Sequence, residues 1–268
     1  MRKISVLGCG WLGLPLATDL IKTGFSVNGS TTTEEKMPIL KSFGINPFSI
    51  SVNADGVRGD ITSFLNSCDT LIVDFPPKLR GDASENFVSK VRNLIPFIES
   101  STVAHVIFIS SISVYGENQG IVTASTLPEP VTESGMQLLE AEQLLMENTH
   151  FTTTIVRFGG LVGNDRHPVY HLAGRTDLDN PGAPINLIHI TDCLGIILSI
   201  VNKNVSGEIF NTVAPFHPSR KDYYSAKAAS MGLAEPHFKE EATGTGKVID
   251  SNKLRQVLDY EFSVTEKI

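Results

Sequence analysis

The stretch that decides the fold is Lys3-Ile4-Ser5-Val6-Leu7, then Gly8-Cys9-Gly10-Trp11-Leu12-Gly13, then an amphipathic run from Leu14 to Ile21. A short β-rich segment reaches Gly-x-Gly-x-x-Gly and opens directly into a helix, the order that a dinucleotide phosphate requires. Gly8 permits the tight turn, Gly10 lets the backbone approach a pyrophosphate, and Gly13 lets helix and strand pack closely. The N–H groups at the helix start would then face the anion. A glycine turn with no ligand is the competing reading. The strand before the loop and the helix after it favour a dinucleotide site, with Cys9, Trp11 and Leu12 between its glycines.

Outward from this loop the first half of the chain alternates short β-rich runs with helical ones, which implies a parallel sheet with crossover helices. Gly24 ends the first helix. Phe25 to Thr31 reads as the second strand and Thr32-Thr33-Glu34-Glu35 as a capping box. Gly44 closes the helix that follows. Ile45 to Ser51 reads as a third strand and Thr70 to Asp74 as a fourth, stopped by Phe75-Pro76-Pro77. A helix over about 83–98 leads to a buried fifth strand, Val106 to Ser110. A Thr-, Pro- and Glu-rich loop (116–132), a helix near 134–148 and a sixth strand, Thr153 to Arg157, follow.

Past Arg157 the texture changes. Gly, Pro, His and Asn become frequent from Gly159 to Pro184, which suits a substrate-facing loop region. Thr191-Asp192 reads as the cap of a helix to about Val201. Glu208 to Thr212 reads as a late strand and 220–231 as a helix. The expectation is an α/β, Rossmann-type doubly wound parallel sheet with a smaller C-terminal substrate-binding region. Residues 1–158 form the dinucleotide domain and 159–268 the smaller region, of which about 185–212 packs back on the sheet.

At 268 residues the chain can hold one large α/β domain or a nucleotide domain with an appendage. Its 41% hydrophobic and 19% charged content describe an ordinary globule. A net charge of −7 argues against a nucleic-acid partner. Cys9, Cys68 and Cys193 lie far apart, so neither a disulfide framework nor a zinc knuckle is implied, and a reducing cytoplasm fits. The apolar run before Cys9 is too short for a signal peptide, and no stretch is long and apolar enough to span a bilayer. The histidines show no ligand spacing, and no metal is expected.

Four stretches carry a resemblance to a known family. They are Gly8 to Gly13; Ser110-Ser111-Ile112-Ser113-Val114-Tyr115-Gly116; Ile155 to Gly163; and Asn186-Leu187-Ile188-His189-Ile190-Thr191-Asp192. In this order and spacing the chain resembles the extended short-chain dehydrogenase/reductases, in the branch of nucleotide-sugar epimerases and dehydratases. The resemblance implies that Ser111 takes the place of the hydroxyl that binds the substrate oxygen; a serine that merely ends a strand is the alternative. It also implies a Tyr and a Lys spaced i, i+4 on the next helix, one face bearing both. A nearby ammonium favours the phenolate, so such a pair can exchange a proton while a cofactor exchanges a hydride.

Here those two positions fall on Ser134 and Leu138. No Tyr or Lys occurs between Gly116 and Phe151, so no shift of register restores the pair. The chain is therefore read as an atypical oxidoreductase or epimerase whose proton transfer uses Ser111, Tyr115 or a water. A catalytically inactive dinucleotide sensor is the alternative. Tyr115 is the nearest surviving phenol, although in the family it mostly lines the site.

An acid at the end of the second strand would hold a ribose 2′-hydroxyl. Here Ser30, Thr31 and Thr32 stand there instead, and these hydroxyls with Lys36 favour NADP over NAD, although no Arg accompanies them. Phe75, Pro76 and Pro77 would wall the cofactor, and Ser110 would border it. Arg166, His167 and Arg175 form a cationic cluster suited to an anionic or nucleotide-linked small molecule. The apolar 138–145 stretch would serve a homodimer contact or the core equally.

Overall fold

The computed structural model describes residues 2–77, 85–163, 165–240, 246–265 and 268. Strand β1 (Lys3–Leu7) is buried along most of its length and leads through the glycine loop into helix α1 (Gly13–Lys22). Then come β2 (Ser26–Thr31), α2 (Met37–Ser42) and β3 (Asn46–Ser49). A short antiparallel hairpin, β4 (Ser51–Asn53) and β5 (Gly56–Arg58), precedes α3 (Ile61–Leu65) and β6 (Thr70–Val73). Helix α4 (Phe87–Glu99), β7 (His105–Ser111), β8 (Ile121–Val122), α5 (Glu133–Met146) and β9 (Thr152–Phe158) follow. The remainder is β10 (Gly160–Val162), α6 (Val169–Leu172), β11 (Leu187–His189), α7 (Ile190–Asn202), β12 (Ile209–Thr212), α8 (Arg220–Ser230), β13 (Val248–Ile249) and α9 (Asn252–Leu258).

Seven strands form the central sheet in the order β12-β9-β7-β6-β1-β2-β3. The neighbours from β3 through β7 pair in parallel, with Ile4 opposite both Val27 and Thr70. Parallel strands buried on both faces read as continuous apolar runs. That is why Val106, Ile107 and Phe108, and Ile155 and Val156, are fully buried. The chain winds outward from β1 in both directions, so the strand order reverses there, and a ligand crevice lies at the carboxyl end of such a reversal. Two buried polar groups of the sheet share one acceptor: Ser5 Oγ and Asn28 Nδ2 both donate to the Phe64 carbonyl, at 2.6 and 2.7 Å, and tie α3 to the sheet.

Contacts divide the chain into two units. One comprises Met1–Val114, Pro130–Arg157 and Leu194–Phe210; the other comprises Tyr115–Glu129, Phe158–Cys193 and Asn211–Ile268. The second contains the parallel pairs β10–β11 and β8–β13 and a core that includes Val162, Val169, Ile185, Tyr223 and Tyr224.

Several local expectations need correction. No capping box forms at Thr32: Thr33 precedes a 3₁₀ turn without a side-chain cap, and the Thr33 N–H bonds instead to Thr31 Oγ1 at 3.1 Å. The expected third strand breaks at Ile50, because the chain turns into the β4–β5 hairpin. Helix α4 starts at Phe87, capped by Asn86; the expected start near 83 lies outside the described residues. Thr191 and Asp192 do not cap α7, which already includes Ile190. The fully buried Asp192 carboxylate accepts bonds from Tyr260 Oη, Ser263 N–H and Val264 N–H.

Candidate active site

The three loop glycines have three different environments. Gly8 has φ +115°, and a Cβ there would overlap the Asp74 carbonyl. A Cβ on Gly13 would overlap the Gly8 carbonyl and lie 3.1 Å from Asp74 Oδ2. Gly10 differs: nothing lies within 4 Å of the Cβ position, so its missing side chain leaves open space in front of the loop. Hydrogen bonding within α1 begins with Leu14 N–H to Gly10 C=O at 3.1 Å. The N–H groups of the first helical turn before it have no intrahelical acceptor and carry the positive end of the helix dipole. An open glycine before such a helix start is a cradle that fits a phosphate, and the cofactor expectation passes this test.

The end of β2 holds the loop. Gly8 N–H donates to Ser30 Oγ at 2.9 Å, and Cys9 N–H to the Ser30 carbonyl at 2.7 Å. Ser30 thus shapes the loop from beneath. A cleft of about 240 Å³ opens beside it, lined by Gly8, Cys9, Gly10, Ser30, Thr31, Thr32, Thr33, Lys36, Phe75 and Pro76. These expected cofactor residues are brought together. Trp11, Leu12, Gly13 and Pro77 do not line this cleft.

Apart from Asp74, which directly precedes the expected Phe75-Pro76-Pro77 wall, the remaining lining was missing from the sequence reading. Ile50, Ser51, Val52 and Asn53 come from the hairpin side, Asp74 from the exit of β6, and Glu85 and Lys90 from α4 and the segment before it. Lys90 is nearly buried and pairs with Glu85 at 2.5 Å, which holds the Glu85 carboxyl below its usual range. Asn53 Nδ2 is buried without a hydrogen-bond partner among the described residues. A donor so placed costs roughly 1–3 kcal/mol. The Asp55-Gly56 pair, where the Ala54-Asp55 turn enters β5, was the available signal for this hairpin. Burial pushes the Cys9 thiol up to about 12, with the Asp74 charge adding to the rise, so Cys9 is an inert thiol.

Strand β7 delivers Ser110 and Ser111 to its carboxyl end. The Ser110 hydroxyl is buried and donates to Glu142 Oε1 at 2.5 Å, and Glu142 in turn pairs with Arg157 through Nε and Nη2. Ser110 therefore belongs to a buried polar cluster with Glu142 and Arg157. Ser111 is half-buried, and its Oγ accepts the Ser113 N–H at 3.1 Å, which leaves the hydroxyl proton to donate elsewhere. Gly135 lets α5 approach this segment, because a Cβ there would overlap the Ser113 carbonyl. Ser134 beside it is half-buried and Leu138 is 4% exposed. Helix α5 carries neither tyrosine nor lysine.

Tyr115 lies in the second unit and is not available for proton transfer. It is 1% exposed, and its hydroxyl donates to Asn211 Oδ1 at 2.9 Å. Its carbonyl accepts from the buried Lys247 Nζ at 2.6 Å, a contact with no short-range sequence signal. His167 is also corrected. It is buried, its Nδ1 accepts the Val169 N–H at 3.0 Å, and its Nε2 lies 2.8 Å from Tyr223 Oη. Burial, helped by Lys227, pushes its pKa down to about 4, so it is a neutral packing residue and not part of a cationic cluster. Arg166 and Arg175 are exposed residues of the second unit.

No family model matches the chain. Protein YeeZ of Escherichia coli (strain K12) is 33% identical over 270 residues, covering 100% of this chain and 98% of that protein. A Bacillus subtilis (strain 168) protein described as an uncharacterized UDP-glucose epimerase, YtcB, is 23% identical and covers 97% of this chain and 92% of its own length. Among solved structures, UDP-glucuronic acid 4-epimerase from Bacillus cereus in complex with NAD superposes with a TM-score of 0.81 at 20% identity, over 98% of this chain and 92% of that one.

Proposed function

The chain belongs to one family with Protein YeeZ; from its resemblance to the extended short-chain dehydrogenase/reductases, in their nucleotide-sugar epimerase and dehydratase branch, we propose that it is an NAD(P)-dependent, epimerase-like oxidoreductase acting on a nucleotide-linked sugar. The observation that carries this reading is the open Gly10 cradle before α1, continuous with a cleft lined by hydroxyls. At about 240 Å³ the cleft is smaller than the roughly 300 Å³ at which pockets for whole ligands begin, so it suits the adenosine part of a dinucleotide. Thr31, Thr32, Thr33 and Lys36 would surround the ribose, with no acid at the end of β2, which favours NADP over NAD. Phe75 and Pro76 would wall the opposite side.

A nicotinamide dinucleotide bound there supplies a reversible hydride acceptor and donor. The chain's own part is orientation and proton handling. Ser111 donates its hydroxyl proton to a substrate oxygen while the Ser113 N–H fixes its rotamer. The Leu138 side chain brings no charge to the helix face where the family's ammonium stands, so no neighbour on α5 lowers a phenol pKa. Proton exchange then falls to Ser111 with water. The nucleotide-linked substrate class is supported by what YtcB is described as and by the UDP-glucuronic acid epimerase likeness.

The test is turnover. The protein is incubated with NAD or NADP and with UDP-glucose, UDP-glucuronic acid or UDP-N-acetylglucosamine, and products are read by proton NMR. One of these gives an epimer or an oxidised sugar, and Ser111→Ala lowers the rate by about 10²-fold or more. Bound cofactor with no product from any of them would contradict the proposal.

A further inference from the structure

We infer that Asp74 sets how tightly the phosphate loop holds its dinucleotide, by placing a carboxylate at the anion-binding start of α1. The inference rests on the cofactor site proposed above and describes its regulation. Strand β6 ends at Val73, and the next residue is fixed by its backbone: Asp74 N–H donates to the Leu7 carbonyl at 2.9 Å. That bond carries the side chain under the loop, where Oδ2 lies 3.1 Å from the Cβ position of Gly13, the first residue of α1. Asp74 also lines the cleft together with Gly8 and Gly10.

The start of a helix attracts one negative charge through its N–H groups and dipole. At α1 a carboxylate of the chain already stands there, and a pyrophosphate brought to the same end meets a like charge at short range. The neighbouring thiol registers this field, since the Asp74 charge adds to the rise in the Cys9 pKa. Of the two lysines that line the cleft, Lys90 is engaged with Glu85. The consequence is a dinucleotide that exchanges readily, a dissociable co-substrate and not a resident group.

The experiment is calorimetric titration of the full chain with NAD and with NADP. Wild type, Asp74→Asn and Asp74→Ala are compared at about 0.05 M and about 0.5 M salt. Both variants are expected to bind about tenfold more tightly than wild type at low salt, with the gap narrowing at high salt. Thermal melts establish that each variant is folded, and the alanine variant separates loss of charge from any new amide hydrogen bond. Equal or weaker binding by the folded variants, with wild type binding, overturns the inference and leaves the cofactor site standing. Absence of binding by all three chains refutes the cofactor site itself.

Discussion

Gly8, Gly10 and Gly13 look alike in the sequence and do three different things. Gly8 and Gly13 are structural: a methyl group at either would collide with backbone carbonyls, of Asp74 and of Gly8 respectively. Gly10 leaves open space at the position of a side chain. Gly8→Ala and Gly13→Ala should therefore each lower unfolding free energy by about 1–3 kcal/mol, as overpacking does, whereas Gly10→Ala should stay within about 0.5 kcal/mol of wild type. Urea denaturation checks this, and a Gly10→Ala loss as large as the other two would contradict it. The motif made the structural roles of Gly8 and Gly13 legible beforehand. The same cannot be said of Ser110, Tyr115 and His167, which the sequence placed at cofactor or substrate. Each has a polar atom taken by a residue distant in sequence: Glu142, Asn211 and Tyr223 respectively. Only the folded chain brings those partners near.

The main elements were legible from periodicity and turn residues: β1, β7 and β9 carry apolar runs, and Gly or Pro marks the ends of β1, α1, β6, β9 and α8. The elements without a periodic sequence signal were short: β4–β5, α3, β8, β10, α6, β11, β13 and α9. Their few residues give too little periodicity to register. The hairpin matters most, because Ser51, Val52 and Asn53 form one wall of the cleft. Helix α5 shows the other limit. Its sequence gave the position of a substitution, Ser134 and Leu138, but not what holds the helix. That is the buried Glu142, paired with Arg157 on β9 and with Ser110 on β7, so that three elements meet on one carboxylate. Arg157→Met would leave that charge uncompensated and should cost about 3–5 kcal/mol, while Arg157→Met with Glu142→Leu should recover most of the loss. Chemical denaturation of the single and double variants measures this. A single-variant loss below about 1 kcal/mol would show that the pair does not tie the elements together.

At the scale of the molecule, the doubly wound sheet was legible in the first half of the sequence because each β–α unit there is local. The second unit was less so. It takes residues from three separate stretches of chain, and pairs such as β8 with β13 join segments more than 120 residues apart in sequence. Such pairing leaves no local pattern to read. No helix among the described residues is long and apolar enough to cross a membrane. The claim on which everything else depends is that the glycine loop holds a nicotinamide dinucleotide. Calorimetric titration of the wild-type chain with NAD and with NADP, alongside thermal melts, tests it directly. Saturable binding of at least one of them, at one site per chain and with a raised melting temperature, is the predicted result. No heat and no stabilisation by either at about 1 mM, where even a binding free energy near −4.1 kcal/mol would register, would contradict it.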